Sequence, residues 1–524
     1  MAPLLVAVDV GTLSARAGVF DARGGLLAAA ATGFPLRRPA PGHAVYRFAE
    51  IWAAVVKAVQ GALDAAPGAA GRVVALAFDA TSSLALTHLG SPPLEDGADV
   101  FCWADHRGEA EAEEITATGD RFLRHMGGTL SPEMHLPKLL WLRRRDPAAW
   151  ARVTGARDLC DALAHRATGV DRHSLNGLAC KWAYLPGEGW RHGLLARLGL
   201  SDLPKLGALA APPSPAGALH GALSPGAAEE LGLPAGTRVA VGLIDAEAGT
   251  LGALDGSFAA AMNGTAVLIG GTSSCIMTFA PDERLIPGVW GPYRDAVFPG
   301  LWLHEAGQSL TGAALDAVLE THPAGPRRAG PGEHAAAVAR IVECLDAEGA
   351  AFAADRHVVP DWLGNRSPLG DGRARALLSG IGEERSERDF LEAYYATARA
   401  LALQARHILD HLDAHGYAVR RVALSGGHAR NPLLVRLYRD AMGRDLLLLH
   451  SPEPVLLGTA MPAAVAAGLY PDLLSAVARM SPGTAPLRAD PSAARAHDVA
   501  YGIYRALFEA RNAALRASAA LRAG

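Results

Sequence analysis

The residues of most chemical consequence sit in short polar turns at the ends of apolar runs. The first run, Leu4 to Val8, ends in Asp9, turns through Gly11, Thr12, Leu13 and Ser14, and resumes as Ala15 to Phe20. That pattern predicts two strands joined by a tight polar turn. A glycine lets backbone approach a ligand, two hydroxyls and free N–H groups can donate to anionic oxygens, and Asp9 can hold a hydrated cation. A nucleoside triphosphate with magnesium fits this chemistry. An ordinary β-hairpin turn would carry the same residues, because Gly/Thr/Ser turns are common.

The same architecture returns at Ala261 to Ala280, where an apolar strand, a Gly-Thr-Ser turn at Gly270 to Ser274 and a second apolar strand follow one another. A distant internal repeat of this kind predicts two related domains, and two such turns can clamp one polyphosphate. Arg421 to Asn431 reads as a strand running into Gly426-Gly427 before a helix that starts near Pro432, and paired glycines let a flat ring such as adenine lie against the backbone.

Other groups stand where open α/β sheets present ligand contacts. Val73 to Leu84 delivers Asp79, Thr81, Ser82 and Ser83 at a strand end. Asp245 follows a strand-like stretch, Arg238 to Ile244, and precedes small residues suited to a closely packed helix. It can be a helix N-cap, which its position favours, or a general base at the sheet edge. Trp103 to Arg107 is either a sugar-facing edge or, more plainly, the start of a helix with Asp105 capping and Arg107 solvated. Lys181, between Cys180 and Trp182, is expected to run along the ring with its head in water.

A chain of 524 residues exceeds what one hydrophobic core organises, so two large domains are expected. Half the residues are hydrophobic and 19% are charged, a globular balance. A net charge of −4 gives no electrostatic case for nucleic acid. The five cysteines lack the paired spacing of a zinc site or a disulfide framework, which points to a reducing compartment. The first apolar run is too short for a signal peptide, and no apolar stretch is long enough to span a bilayer. Helical periodicity is expected from Phe48 to Leu63 and again at Leu139 to Leu142, and Gly207 to Gly236 reads as loop with a short helix.

Taken together, the runs resemble the FGGY carbohydrate kinases, and within them the ribulokinase group. The residues that carry the resemblance are DVGTLSAR (Asp9 to Arg16), DATSSL (Asp79 to Leu84), WADHR (Trp103 to Arg107), SPEMHLPKLLWL (Ser131 to Leu142), CKW (Cys180 to Trp182), GLIDAEAG (Gly242 to Gly249), GGTSSC (Gly270 to Cys275), WLHEAGQSLTG (Trp302 to Gly312), GNRSPLGD (Gly364 to Asp371) and LSGGHARNP (Leu424 to Pro432). Each is weak alone, and ten in family order are specific.

The resemblance implies an α/β fold of two ribonuclease H-like (actin-like ATPase) domains, 1–255 and 256–524, with an inter-domain cleft for ATP, Mg2+ and a small-molecule sugar. It assigns Asp9, Gly11, Thr12, Ser14 and Arg16 to the first phosphate and metal motif, with Asp9 the metal ligand, and Gly271, Thr272 and Ser273 to the second. Gly426, Gly427 and Asn431 would serve adenosine, and Asp245 matches the catalytic base. Lys181 and Glu305 match ketose contacts of ribulokinases, and Ser82 and Ser83 stand where xylulose kinases usually carry a Met-His pair.

The expected activity is phosphorylation of D-ribulose on its C5 hydroxyl by a cytoplasmic enzyme, with a homodimer left open and no nucleic-acid or membrane partner. L-ribulose, xylulose or a pentitol are the alternative substrates, and a non-catalytic actin-like ATPase or sugar-binding relative is the alternative class. Three positions depart from the family pattern: Leu13 for a glycine, Arg436 for a glutamine, and Pro462 inside a helix.

Overall fold

The computed structural model describes residues 2–207 and 209–523. The first half of the chain builds a mixed sheet from β1 (Leu4–Val10), β2 (Ser14–Asp21), β3 (Leu26–Gly33), β4 (Val73–Ala80), β5 (Leu219–Ala222), β6 (Arg238–Ala240) and β7 (Leu243–Ile244). The spatial order is β3-β2-β1-β4-β6-β5, with β7 also paired to β4. The second half builds another from β8 (Thr265–Gly270), β9 (Ser274–Ala280), β10 (Trp290–Arg294), β11 (Trp302–Gln308), β12 (Arg421–Gly426), β13 (Asp445–Leu449) and β14 (Thr484–Leu487), in the order β10-β11-β9-β8-β12-β13-β14.

The two sheets match over six of their seven strands. In each, three antiparallel strands come first (β1, β2, β3 and β8, β9, β11), and the leading strand then pairs in parallel with a distant one (β4 and β12). A further parallel strand (β6 and β13) and an antiparallel edge strand (β5 and β14) complete both. The repeat read from two Gly-Thr-Ser turns therefore extends over six strands. This is the α/β architecture of two ribonuclease H-like domains, the actin-like ATPase arrangement, with a cleft between them.

Both faces of the first sheet are covered, which explains why β1 is apolar up to Asp9 instead of alternating. Leu4, Val6, Val8 and Val10 face helices Phe48–Asp64 and Leu159–Thr168. Leu5 and Ala7 face the other way, toward Leu251 of helix Asp245–Ala253 and Leu456 and Met461 of helix Pro454–Ala466. The last helix comes from the second half of the chain yet packs beneath the first sheet. It crosses helix Asp245–Ala253 backbone against backbone, because a Cβ at Gly252 would collide with the Pro454 carbonyl and one at Gly458 with the Ala248 carbonyl. Small residues after Asp245 thus permit the closest contact between the halves. Pro462 lies inside this helix, which runs on to Ala466.

Four short strands, Val45–Tyr46, Leu84–His88, Val100–Phe101 and Val153–Asp158, form a small sheet beside the first one. The stretch from Gly207 to Gly236 holds β5 as well as the expected short helix, Pro225–Leu231. Among the described residues no helix is long and apolar enough to cross a membrane.

Candidate active site

Three aspartates mark the carboxyl ends of neighbouring parallel strands. Asp9 on β1 lies in register with Asp79 on β4, Asp79 is in register with Leu243 on β7, and Asp245 follows immediately after β7. Open α/β sheets bind ligands at this edge. Asp9 and Asp79 are buried, whereas Asp245 is partly open to the cleft.

Asp245 is not an N-cap. Ile244 occupies that position, and Asp245 is the first helical residue, its carboxylate accepting only the Ala246 N–H at 2.8 Å. Burial, reinforced by the Asp9 carboxylate, pushes Asp245 up to about 7. Burial and the Asp9 charge likewise hold Asp79 well above the ordinary carboxylate range. Asp79 takes a hydrogen bond from Thr459 on its Oδ2, while its buried Oδ1 has no partner. Crowded carboxylates with an unpartnered oxygen call for a cation. Among the described residues no group of three or more His, Cys, Asp or Glu side chains gathers to hold a metal. Asp9 beside Asp79, with the unpartnered Asp79 oxygen, fits magnesium, which keeps most of its waters and needs one or two carboxylates beside phosphate oxygens.

The first turn is pinned from outside. The Gly11 N–H donates to Ser14 O at 3.0 Å, the Tyr46 hydroxyl to Thr12 O at 2.9 Å, and the Trp103 indole N–H to Thr12 Oγ1 at 3.0 Å. Accepting from Trp103 leaves the Thr12 hydroxyl proton free to donate to a ligand. Leu13 is 62% exposed at the tip, and its backbone stays out of the left-handed region, so the turn needs no glycine there. Arg16 sits across the sheet from Asp9 and pairs with it and, at 3.0 Å, with Glu453 of the second half.

The second turn is one residue tighter, with the Gly271 N–H donating to Ser273 O at 2.9 Å and Thr272 exposed. His428 supports it. Burial lowers His428 to about 4, so the neutral ring donates from Nε2 to Gly271 O (3.1 Å) and accepts the Tyr438 hydroxyl on Nδ1 (3.1 Å). Gly426, at φ +80°, lies so close to the Gly270 carbonyl that a side chain would not fit.

Close to Gly426-Gly427 in the chain, a pocket of ≈ 520 Å³ is lined by Ala429, Pro432, Val435 and Leu448 together with Arg430, Arg436 and Arg439. Its apolar side suits a flat heterocycle. Asn431 caps helix Pro432–Ala441, its Oδ1 accepting Leu433 and Leu434 N–H at 3.0 and 3.3 Å, so only its amide NH2 remains for a nucleotide.

Lys181 and Glu305 meet across the cleft. Lys181 ends helix Leu175–Lys181 in the first half, Glu305 lies on β11 in the second, and Nζ is 3.8 Å from Oε2 with both side chains almost fully buried. Lys181 does not extend its head into water beside Trp182. Its ammonium stands 4.9 Å from the ring centre of Trp290, while Trp182 turns into the core and donates to Asp158 at 2.8 Å. Against its burial, Glu305 and Glu247 raise the Lys181 pKa, keeping the ammonium charged. A second pair, Glu133 and Arg366 at 3.3 Å, crosses nearby, with Arg366 5.1 Å from the same indole centre.

Two further expectations require correction. Ser83 is fully buried, its hydroxyl bonded to Thr81 Oγ1 at 2.9 Å and to the Trp103 N–H at 3.1 Å, so it braces the wall and does not face a sugar. Ser82 Oγ is buried too, and among the described residues it has no hydrogen-bond partner. Asp105 and Arg107 are neither a helix cap and a solvated base nor a sugar edge. Asp105 accepts the Ala44 N–H at 2.6 Å and pairs with Arg107 at 2.8 Å, and the guanidinium lies between Phe101 and Trp141. The helix that follows is capped by Gly108.

Sequence reasoning missed Thr459, Glu453, Arg366, Glu133 and His428. Glu133, Arg366 and His428 lie inside segments that carry the resemblance, and His428 also directly follows Gly426-Gly427, whereas Thr459 and Glu453 had no local signal.

Comparison with known proteins agrees with this geometry. The N-terminal domain of the FGGY family of carbohydrate kinases matches residues 4–252, and its C-terminal domain matches residues 266–467. The chain is 35% identical over 506 residues to an FGGY carbohydrate kinase domain-containing protein of Homo sapiens, covering 91% of each. It is 31% identical over 499 residues to a D-ribulokinase of Saccharomyces cerevisiae, covering 85% of this chain and 69% of that one. The fold superposes on a “xyloylose kinase” from Brucella ovis with a TM-score of 0.81 at 23% identity, covering 97% and 99% of the two chains. Two repeated domains, an acidic strand edge between them and full-length likeness lead to one conclusion: the chain belongs to the FGGY family of carbohydrate kinases.

Proposed function

We propose that the protein transfers the γ-phosphoryl group of ATP to the C5 hydroxyl of D-ribulose, giving ADP and D-ribulose 5-phosphate. The observation that carries this reading is the buried Lys181–Glu305 pair, close enough to Asp245 to influence its proton. A charged donor and acceptor beside a general base suit a polyhydroxylated substrate better than an ATPase that phosphorylates no small molecule. Ser82 Oγ, buried without a partner in the wall beside Asp79, is the remaining serine candidate for a sugar contact. The choice of D-ribulose rests on the likeness of the SPEMHLPKLLWL and GNRSPLGD segments to the D-ribulokinase group, and the relative from Saccharomyces cerevisiae supports it.

A sugar hydroxyl is a poor nucleophile at neutral pH, so Asp245 accepts its proton as the oxygen attacks the γ-phosphorus. Backbone N–H groups and the hydroxyls of Thr12 and Thr272 hold phosphoryl oxygens from the two sides, where charge develops. Magnesium, held through Asp9, supplies charge neutralisation of the polyphosphate when bound. Gly426, Gly427 and the Asn431 amide position adenosine over the neighbouring cavity, and the cross-cleft pairs keep water from the transferred group. Residues 1–255 then bind sugar and phosphate, and 256–524 the nucleotide. All five cysteines are free thiols, which supports a reducing, cytoplasmic setting.

The test is a comparison of kcat/KM for D-ribulose, L-ribulose, D-xylulose and ribitol. Preference for D-ribulose supports the reading, preference for L-ribulose overturns its handedness, and preference for xylulose or ribitol overturns the ribulose assignment.

A further inference from the structure

Lys138, on helix His135–Arg145, has no exposed surface, and its ammonium donates to three backbone carbonyls: Cys102 at 2.9 Å, Trp103 at 3.0 Å and Glu133 at 3.1 Å. Burying an ammonium is costly unless each proton finds an acceptor, and three tetrahedral donors fix three acceptors relative to one another. The carbonyls belong to two segments with different tasks. The Cys102-Trp103 segment reaches the phosphate turn through the indole bond to Thr12 and is tied to the end of β4 through Ser83. The Glu133 segment sends its carboxylate across the cleft to Arg366, which shares the Trp290 ring with Lys181.

We propose that Lys138 is a positioning residue that couples the sugar and nucleotide subsites, by making the segment that grips Thr12 and the segment that reaches Arg366 move as one body. The inference rests on the kinase reading of the cleft. A sugar that holds the halves together would keep the Glu133–Arg366 pair closed, and through Lys138 keep the Trp103–Thr12 bond in place for the polyphosphate. By thermodynamic reciprocity the nucleotide tightens sugar binding by the same factor.

The experiment measures the affinity for magnesium AMP-PNP with and without saturating sugar, using the panel sugar that the enzyme phosphorylates, in the wild type, Lys138→Met and Trp103→Phe. The wild type is expected to bind the nucleotide at least ~5-fold more tightly with sugar present. In Lys138→Met this ratio should fall toward one, with each single-ligand affinity changed less than the ratio. A merely structural role would instead weaken both ligands and leave the ratio alone. Lys138→Met leaves three buried carbonyls bare and can fail to fold, so Trp103→Phe, which removes the N–H to Thr12 along with part of the ring but leaves the Lys138 carbonyl contacts in place, provides the second reading and should lower the same ratio. A wild-type ratio near one, or its retention in every variant that folds, overturns the coupling alone. Absence of turnover with every panel sugar overturns the kinase reading and the coupling with it.

Discussion

Lys181 and Glu305 stand 3.8 Å apart although one closes a helix in the first half of the chain and the other lies on a strand in the second. The pair makes the sugar subsite an inter-domain property. Lys181→Met or Glu305→Gln should raise the sugar KM by at least ~10-fold with little change in nucleotide KM, as expected for loss of one charged hydrogen-bond partner. Breaking a buried pair by removing one charge costs about 3–5 kcal/mol, whereas removing both is far milder. Thermal unfolding of Lys181→Met, Glu305→Gln and the double variant checks this, and a double variant less stable than both single ones would contradict it.

Asp245→Asn should lower turnover by roughly two to four orders of magnitude, the usual weight of a positioned general base. Nucleotide affinity should hardly move. Near-normal turnover in a steady-state assay would remove Asp245 from that role.

The pKa of about 7 at Asp245 sets a pH window. The base works deprotonated, so kcat/KM should fall as pH drops through 7, and Asp245→Asn should abolish that limb. Stability runs the opposite way. A carboxyl raised above its unfolded value binds its proton more tightly in the native state, so its contribution is present at low pH and lost as pH rises toward and past 7. Asp245→Asn should therefore gain thermal stability relative to wild type at pH 8 compared with pH 5. An equal difference at both pH values would argue against the raised pKa.

Thr12→Val and Thr272→Val remove a hydroxyl at nearly constant volume. Each should weaken ATP handling and spare sugar binding in the absence of nucleotide. Their stabilities should differ, because Thr12 accepts the Trp103 N–H whereas Thr272 is exposed: about 1 kcal/mol is expected for the first and little for the second. Titration with ATP and thermal melts separate the two effects, and a bound structure in which ATP touches one turn alone would contradict the clamp.

Much of the strand edge was legible because its cause is local. An apolar run ending in Asp9, Asp79 or Ile244-Asp245 names a buried strand and the group at its carboxyl end, and a repeated Gly-Thr-Ser turn signals a repeated sheet. What joins the halves was not legible. The residues around Lys181 do not reveal that Trp290 and Glu305 will close over it, so locally a lysine beside a tryptophan reads as solvent-seeking, and only the family resemblance placed Lys181 and Glu305 in one site. Ser83 and Asp105 failed for a related reason: a polar residue after a strand looks like a ligand contact or a cap until its burial partners, Thr81 and Trp103 in one case and Ala44 and Arg107 in the other, are known. Thr459 and Glu453 were invisible because they act on the first sheet from a helix more than 370 residues away in the chain.

The most direct measurement is the fate of the γ-phosphoryl group when ATP, magnesium and D-ribulose are incubated with the protein and the products are followed by phosphorus and carbon NMR. The account predicts one ADP for each sugar phosphate, with phosphorus coupled to C5 of ribulose. ADP and inorganic phosphate without a sugar ester, or a phosphate on another carbon, would contradict it.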